Sequence, residues 1–110
     1  MKHGVTLLLL MAAALLEAGG DAIVRMGMRS NALGPRLLWF VAGTAVLFLY
    51  SWTVNTPPWD FGRLLGLYVV FFFLFAQLLS WLVFHQKPSL AVMIGGGFVA
   101  LGGLIITLGS

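Results

Sequence analysis

Four long apolar runs constrain the fold of this chain more than any other feature of its sequence. They cover residues 5–24, 37–54, 64–84 and 90–108, and each has 18 to 21 residues. About 20 apolar residues in an α-helix cross a bilayer core of roughly 30 Å, whereas strands of a membrane barrel are short and alternate in polarity. The chain is also 61% hydrophobic and only 8% charged. We therefore predict an all-α integral membrane protein, with four transmembrane helices in a single domain, residues 1–110.

Glu17 is an ionisable residue inside the first apolar run, twelve residues after Val5. A charge near the bilayer midplane costs about 3 kcal/mol or more, and such residues usually face a protein interior or an aqueous cavity. Asp21 and Arg25 follow at intervals of four residues, so the three side chains share one helix face. We expect Asp21 and Arg25 to form a structural ion pair, which leaves Glu17 free to bind a proton. The structural alternative is a protonated Glu17 that only hydrogen-bonds to a neighbouring helix.

Other residues near this acid could help to form a site. Gly20 lacks side-chain bulk close to Glu17, so another helix or a ligand could approach there. Tyr68 in the third span could contribute its ring and hydroxyl to a cation site. Tyr50, late in the second span, is a further polar aromatic residue, although membrane helices also use such groups for ordinary interhelical hydrogen bonds.

Four helices enclose little space, so a substrate path would require at least a dimer. In the fourth span Gly96, Ala100 and Gly103 lie on one helix face, and small residues let helix backbones approach closely in lipid. We predict that they form the seam of a homodimer. The alternative is that these residues only pack the fourth span within its own subunit.

Several functional classes find no support in the sequence. There is no cysteine, and the two histidines lie near the ends of spans, away from any carboxylate cluster. No nucleophile motif or phosphate-binding loop is present, so we expect no enzyme, no cofactor and no metal site. The basic residues are too thinly spread for a nucleic-acid surface, and they suit lipid headgroups beside helix ends instead.

Motifs along nearly the whole chain resemble those of the small multidrug resistance transporters, and of their YnfA-like branch more closely. The residues that carry the resemblance are Glu17-Ala18-Gly19-Gly20, Tyr50-Ser51-Trp52, Pro58-Trp59-Asp60-Phe61-Gly62-Arg63 and Tyr68. The Asp-Phe-Gly-Arg entry to the third span is the most specific of these pieces.

The resemblance implies a proton-coupled exporter of small cationic or hydrophobic compounds, working as a homodimer in a bacterial plasma membrane. Glu17 matches the carboxylate that protons and substrate share in the family, and Tyr68 matches a tyrosine that faces the site. Gly20, Tyr50 and Trp52 are secondary site candidates on the same grounds.

Five residues depart from the family pattern. Leu65 stands where the family commonly has a tyrosine, and Val69 and Val70 stand where it has a glycine pair associated with flexing of the helix. Asp21 and Arg25 are also unusual, since the family tends to be apolar at those positions. These departures keep a non-transporting accessory or assembly subunit open as an alternative. A small dimeric ion channel is a third possibility, which we rank last because spans two to four offer no polar pore-lining face.

Overall fold

A computed structural model describes residues 3–109 of the chain and contains four α-helices. They are α1 (His3–Arg29), α2 (Leu33–Val54), α3 (Phe61–Phe84) and α4 (Leu90–Gly109). Each helix is long and apolar enough to cross a membrane, and no strand occurs within the described residues. The predicted fold class of four membrane-spanning helices is therefore confirmed, whereas the homodimer stays a prediction.

The first connection is much shorter than the polar composition of residues 25–36 predicts. α1 continues to Arg29, because arginine is a good helix former and polar residues can end the apolar part of a helix without ending the helix. α2 begins at Leu33 and includes Pro35 in its first turn. Proline is tolerated there because the first backbone N–H groups of a helix have no intrahelical partner. Only residues 30–32 separate the two helices.

α3 begins at Phe61, three residues before its predicted start, and ends at Phe84 as predicted. His85 then adopts a left-handed backbone conformation with φ of 57°, which is uncommon for residues other than glycine. The N–H of Gln86 donates to the carbonyl oxygen of Ser80 at 2.9 Å. This bond across the helix end satisfies a carbonyl that the last turn leaves unpaired, and it turns the chain towards α4.

Glycines let α1 and α2 pack with their backbones close together. A Cβ atom added to Gly43 would lie 2.6 Å from Cγ2 of Val24 and 3.3 Å from the carbonyl oxygen of Gly20. A Cβ atom added to Gly20 would lie 2.6 Å from Cδ2 of Leu47. Each glycine therefore occupies a position that any larger residue would crowd. Membrane helices gain stability from this kind of close approach, since lipid supplies no hydrophobic force between them.

A second set of glycines packs α4 against α3. A Cβ atom on Gly96 would collide with the ring of Phe73, and one on Gly103 would collide with Val70. Gly96 and Gly103 thus lie against α3 of their own chain, which is the alternative that the sequence left open. Ala100, between them in sequence, is exposed. A role of these three residues in a dimer seam stays a prediction.

The buried core lies between α1 and α3. It is formed by Leu10, Ala13, Ala14, Val54, Leu64, Leu67 and Tyr68. Most large apolar side chains of α2 and α4 are exposed instead, as expected for surfaces that face lipid or another membrane protein. The alanines of α1 are small enough for the larger side chains of α3 to approach the α1 backbone.

We predict that Gly43→Ala lowers the free energy of unfolding by about 1–3 kcal/mol, the usual cost of overfilling a packed interface. Val24 is a stiff side chain, and the carbonyl of Gly20 cannot move aside without bending α1. Denaturation of the purified protein in mild detergent, followed by circular dichroism, would measure the change. Gly34→Ala is the matched control, because no atom lies within 4 Å of a Cβ built on Gly34. Equal stability of the two variants would contradict this account of the α1–α2 contact.

Candidate functional site

Glu17 lies near the middle of α1, one residue beyond the helix centre at residue 16. The 27 residues of α1 give it a length of about 40 Å, so both ends extend past a hydrocarbon core of roughly 30 Å. Glu17 is therefore the acid closest to the expected midplane, and its side chain is half-buried against α3. Glu17 therefore lies at the depth where an ionisable side chain is most costly in a bilayer.

Tyr68 of α3 is the hydrogen-bond partner of Glu17. Its hydroxyl lies 2.7 Å from Oε1 of Glu17 and 3.3 Å from the carbonyl oxygen of Ala13. A tyrosine hydroxyl carries one proton, so the shorter contact to the carboxyl group is the main one. Ala13 is one helical turn before Glu17 and is fully buried, and its small side chain lets Tyr68 reach the α1 backbone. This hydrogen bond brings together two residues that are 51 positions apart in the chain.

Aromatic rings from α2 and α3 pack against the ring of Tyr68. The ring of Tyr50 lies 5.5 Å from the ring of Tyr68, and the ring of Phe72 stacks on Tyr68 at 6.2 Å, both measured between centroids. The two tyrosines and Phe72 are buried or half-buried. Three helices therefore contribute to the surroundings of Glu17. A carboxylate next to aromatic faces is an arrangement that suits an organic cation.

Two of the secondary candidates from the sequence lie elsewhere or serve packing. Trp52 is exposed on the outer side of α2, where its ring lies 6.4 Å from that of Phe48. It lines a shallow groove with residues of α2 and the following turn, and Glu17 is not part of that groove. Gly20 is buried against Leu47, so the space that its missing side chain leaves is filled by α2. Tyr50 is the secondary candidate that the structure brings to the site.

Asp21 and Arg25 do not form the expected ion pair. No ion pair joins these two side chains in the part of the chain that the structure describes, and the guanidinium carbon of Arg25 lies 4.9 Å above the ring of Phe84. Arg29 approaches the same ring at 5.2 Å. Attraction between a cation and an aromatic face competes with the carboxylate for Arg25. Asp21 and Arg25 nevertheless line a common cleft between α1 and α3.

Two aromatic residues of this region are missing from the sequence predictions. Phe72 was one of several phenylalanines around α3, and only its spacing of four residues from Tyr68 indicates a shared face. Phe84 contacts arginines that are more than 50 positions away in sequence, so local patterns carry no signal for it. In the described residues, no group of three or more His, Cys, Asp or Glu side chains could hold a metal ion.

Known proteins similar to this chain are membrane proteins of one family. Residues 4–110 match the model of the family described as "Uncharacterised BCR, YnfA/UPF0060 family". The chain is 33% identical over 106 residues to the UPF0060 membrane protein YfjF of Bacillus subtilis (strain 168), an alignment that covers 94% of this chain and 93% of the relative. It is 29% identical over 97 residues to a UPF0060 membrane protein of Herpetosiphon aurantiacus, covering 86% of this chain and 84% of that protein. No solved structure matches the chain significantly.

The family match agrees with the resemblance that the sequence motifs indicate. The YnfA family is in the superfamily of proteins like the small multidrug resistance transporters, which confirms the predicted relationship. Four apolar helices and relatives that are named as membrane proteins both indicate an integral membrane protein. This chain is thus a member of the YnfA/UPF0060 family of membrane proteins.

Proposed function

We propose that this chain is a secondary transporter that exchanges protons for small organic cations at Glu17. The contact that carries the proposal is the hydrogen bond from Tyr68 to Glu17, made in the middle of a membrane-spanning helix. No basic side chain pairs with Glu17 among those that the structure describes. A carboxyl group with a neutral hydrogen-bond donor and no counter-ion can be neutralised either by a proton or by a ligand cation.

Exchange follows because a proton and an organic cation would bind to the same carboxyl group, that of Glu17. When Glu17 is ionised, the Tyr68 hydroxyl donates to the carboxylate and fixes one of its oxygens, while the other oxygen can approach a cation. When a proton binds, the negative charge that holds the cation is lost. Proton and cation therefore occupy the site in turn, and this mutual exclusion links their movements in opposite directions. The rings of Tyr50 and Phe72 would contact the apolar part of the bound compound.

The proposal includes a homodimer in a bacterial plasma membrane and no enzymatic step. One chain supplies α1, α2 and α3 around Glu17 but leaves much apolar surface uncovered, including large side chains of α2 and α4. A second copy would complete the walls around the cation. Alternating exposure of the paired sites to the two sides of the membrane would then move the substrate, as expected for small transporters with a binding site at the midplane.

A second candidate is a non-transporting accessory or assembly subunit. Val70, which stands where related transporters have a glycine, packs against Gly103 of α4. The valine side chain holds α3 against α4, and α3 lacks the glycine at which it could bend. On this reading Glu17 would be a structural residue that fastens α1 to α3 through Tyr68.

We predict that cations such as guanidinium, ethidium or a quaternary ammonium release protons from the purified protein, and that Glu17→Gln abolishes this release. The amide keeps the shape of the side chain but can neither ionise nor bind a proton in exchange. Proton release would be measured in weakly buffered detergent solution with a pH electrode. Asp60→Asn is the matched control, since Asp60 precedes α3 and its side chain makes no capping hydrogen bond. Proton release that persists in Glu17→Gln would show that Glu17 is not the exchange site. If folded wild-type protein releases no protons with any of a broad set of cations, the accessory subunit would replace the transporter as the proposed function.

We predict that Tyr68→Phe weakens cation binding at neutral pH by about tenfold or more. Without the hydroxyl, the ionised carboxyl of Glu17 loses a hydrogen bond worth about 1.5–3 kcal/mol, which favours the protonated form that cannot hold a cation. The ring remains, so the packing of α3 against α1 is kept. Titration of a fluorescent cation in detergent would give the affinities. Tyr50→Phe is the matched control, because the Tyr50 hydroxyl has no hydrogen-bond partner in the described structure while its ring lies 5.5 Å from Tyr68. If both substitutions weaken binding equally, the hydroxyl of Tyr68 has no special role.

A further inference from the structure

A partly open cleft of about 150 Å³ lies between α1 and α3, next to the Glu17 site. Asp21 and Arg25 line it from α1, and Phe72, Ser80 and Phe84 line it from α3. Phe72 also stacks on Tyr68, so the inner end of the cleft adjoins the residue that holds Glu17. Its outer end is lined by Arg25 of α1 and by Phe84, the last residue of α3. The cleft is therefore a path, or a binding place, between Glu17 and one membrane surface.

This cleft carries both signs of charge without joining them. Asp21 forms no ion pair with any side chain that the structure describes. The guanidinium groups of Arg25 and Arg29 lie over the ring of Phe84, at 4.9 and 5.2 Å from its centroid. An aromatic ring satisfies only part of a guanidinium group, because its N–H donors still point outwards for an acceptor. The Asp21 carboxylate and the Arg25 guanidinium are thus available to a ligand in the cleft at the same time, with Arg29 beside them on the same ring.

We propose that this cleft binds small zwitterions, with the cationic group at Asp21 and the anionic group at Arg25. Asp21 and Arg25 are one helical turn apart, a rise of about 6 Å along α1. A cation alone would lie beside Arg25, and an anion alone would lie beside Asp21, so only a molecule with both charges matches the whole lining. The volume of about 150 Å³ limits the ligand to a small molecule.

The inference rests on the proposed function, since it extends the substrate class of the same transporter from cations to zwitterions. Glu17 remains the proton site, and it is already engaged by Tyr68 at 2.7 Å. Asp21 and Arg25 would select the ligand before it reaches Glu17. The same charges would also suit the ammonium and phosphate of a zwitterionic lipid headgroup, so the experiment must separate a free solute from a lipid.

Calorimetry with 4-(trimethylammonio)butanoate and its methyl ester tests the proposal, because the ester keeps the cation and removes the anion. The purified protein in maltoside detergent would be used, both as wild type and in a Glu17→Gln background where the cation site is absent. We expect the zwitterion to bind about tenfold more tightly than the ester, the size of one hydrogen bond to a charged group. Equal binding of the two compounds, or none of either, would overturn the proposal.

Charge variants assign the binding to the cleft. Arg25→Gln should weaken binding of the zwitterion about tenfold and leave binding of the ester unchanged. Arg25→Lys should restore part of the preference for the zwitterion over the ester. Asp21→Asn should weaken binding of the zwitterion by a similar factor. Arg36→Gln is the matched control, because Arg36 also lies over a phenylalanine ring, at 5.5 Å from Phe40, but does not line the cleft. If Arg36→Gln loses the preference for the zwitterion over the ester while Arg25→Gln keeps it, the ligand binds outside the cleft.

Two further comparisons separate the possible outcomes. Zwitterion binding that is present in nanodiscs of phosphatidylglycerol but lost in nanodiscs of phosphatidylcholine would identify a lipid headgroup as the occupant, and equal binding in both would identify a free solute. If cations release protons through Glu17 while no zwitterion binds, the inference fails and the exchange function stands. If zwitterions bind but no cation releases protons, the exchange function fails and the cleft remains a binding site.

Discussion

Close contact between helix backbones is the constraint on which this structure depends. Helices in a bilayer gain no hydrophobic free energy from packing on one another, so stability must come from dispersion contacts and hydrogen bonds at short range. Gly20 and Gly43 provide such contact between α1 and α2, whereas at Gly96 and Gly103 the side chains of Phe73 and Val70 pack close to the α4 backbone. The fold thus contains two helix pairs, α1–α2 and α3–α4, which the buried core joins between α1 and α3. Larger residues at these points would push the pairs apart and displace the side chains that they hold.

The two pairs meet between α1 and α3, and the proposed exchange site lies at this meeting place. Alanines of α1 face Leu64, Leu67 and Tyr68 of α3, and the Tyr68 hydroxyl crosses to Glu17. Beyond this contact α1 and α3 separate, and the cleft with Asp21 and Arg25 opens between them. A polar pair at the midplane is tolerated because each group satisfies the other, whereas an isolated charge there would be expensive.

The sequence predicts the elements of this fold better than their contacts. Apolar run lengths identify all four helices, but the end of α1 at Arg29 lies beyond its apolar run because helix formation does not require apolar residues. Glu17 is evident from its depth alone. Tyr68 is a site candidate from its ring and hydroxyl and from the family resemblance, but its hydrogen bond to Glu17 is not predicted, since nothing in local spacing joins residues in different helices. The ion pair between Asp21 and Arg25 fails as an expectation because Phe84, distant in sequence, offers the arginine another partner.

The position of the Glu17–Tyr68 bond relates the proposed exchange to movement. α1 and α2 make the most extensive contact of the fold, and Gly20 and Gly43 let them pack closely, so these two helices are expected to move as one body. Val70 packs against Gly103 and joins α3 to α4. In the proposed exchange, a change of access would involve movement of α1 relative to α3, which the bond from Tyr68 to Glu17 connects. Binding of a proton or a cation at Glu17 would change the charge that this hydroxyl contacts, so the proposed exchange would act directly on the contact between α1 and α3.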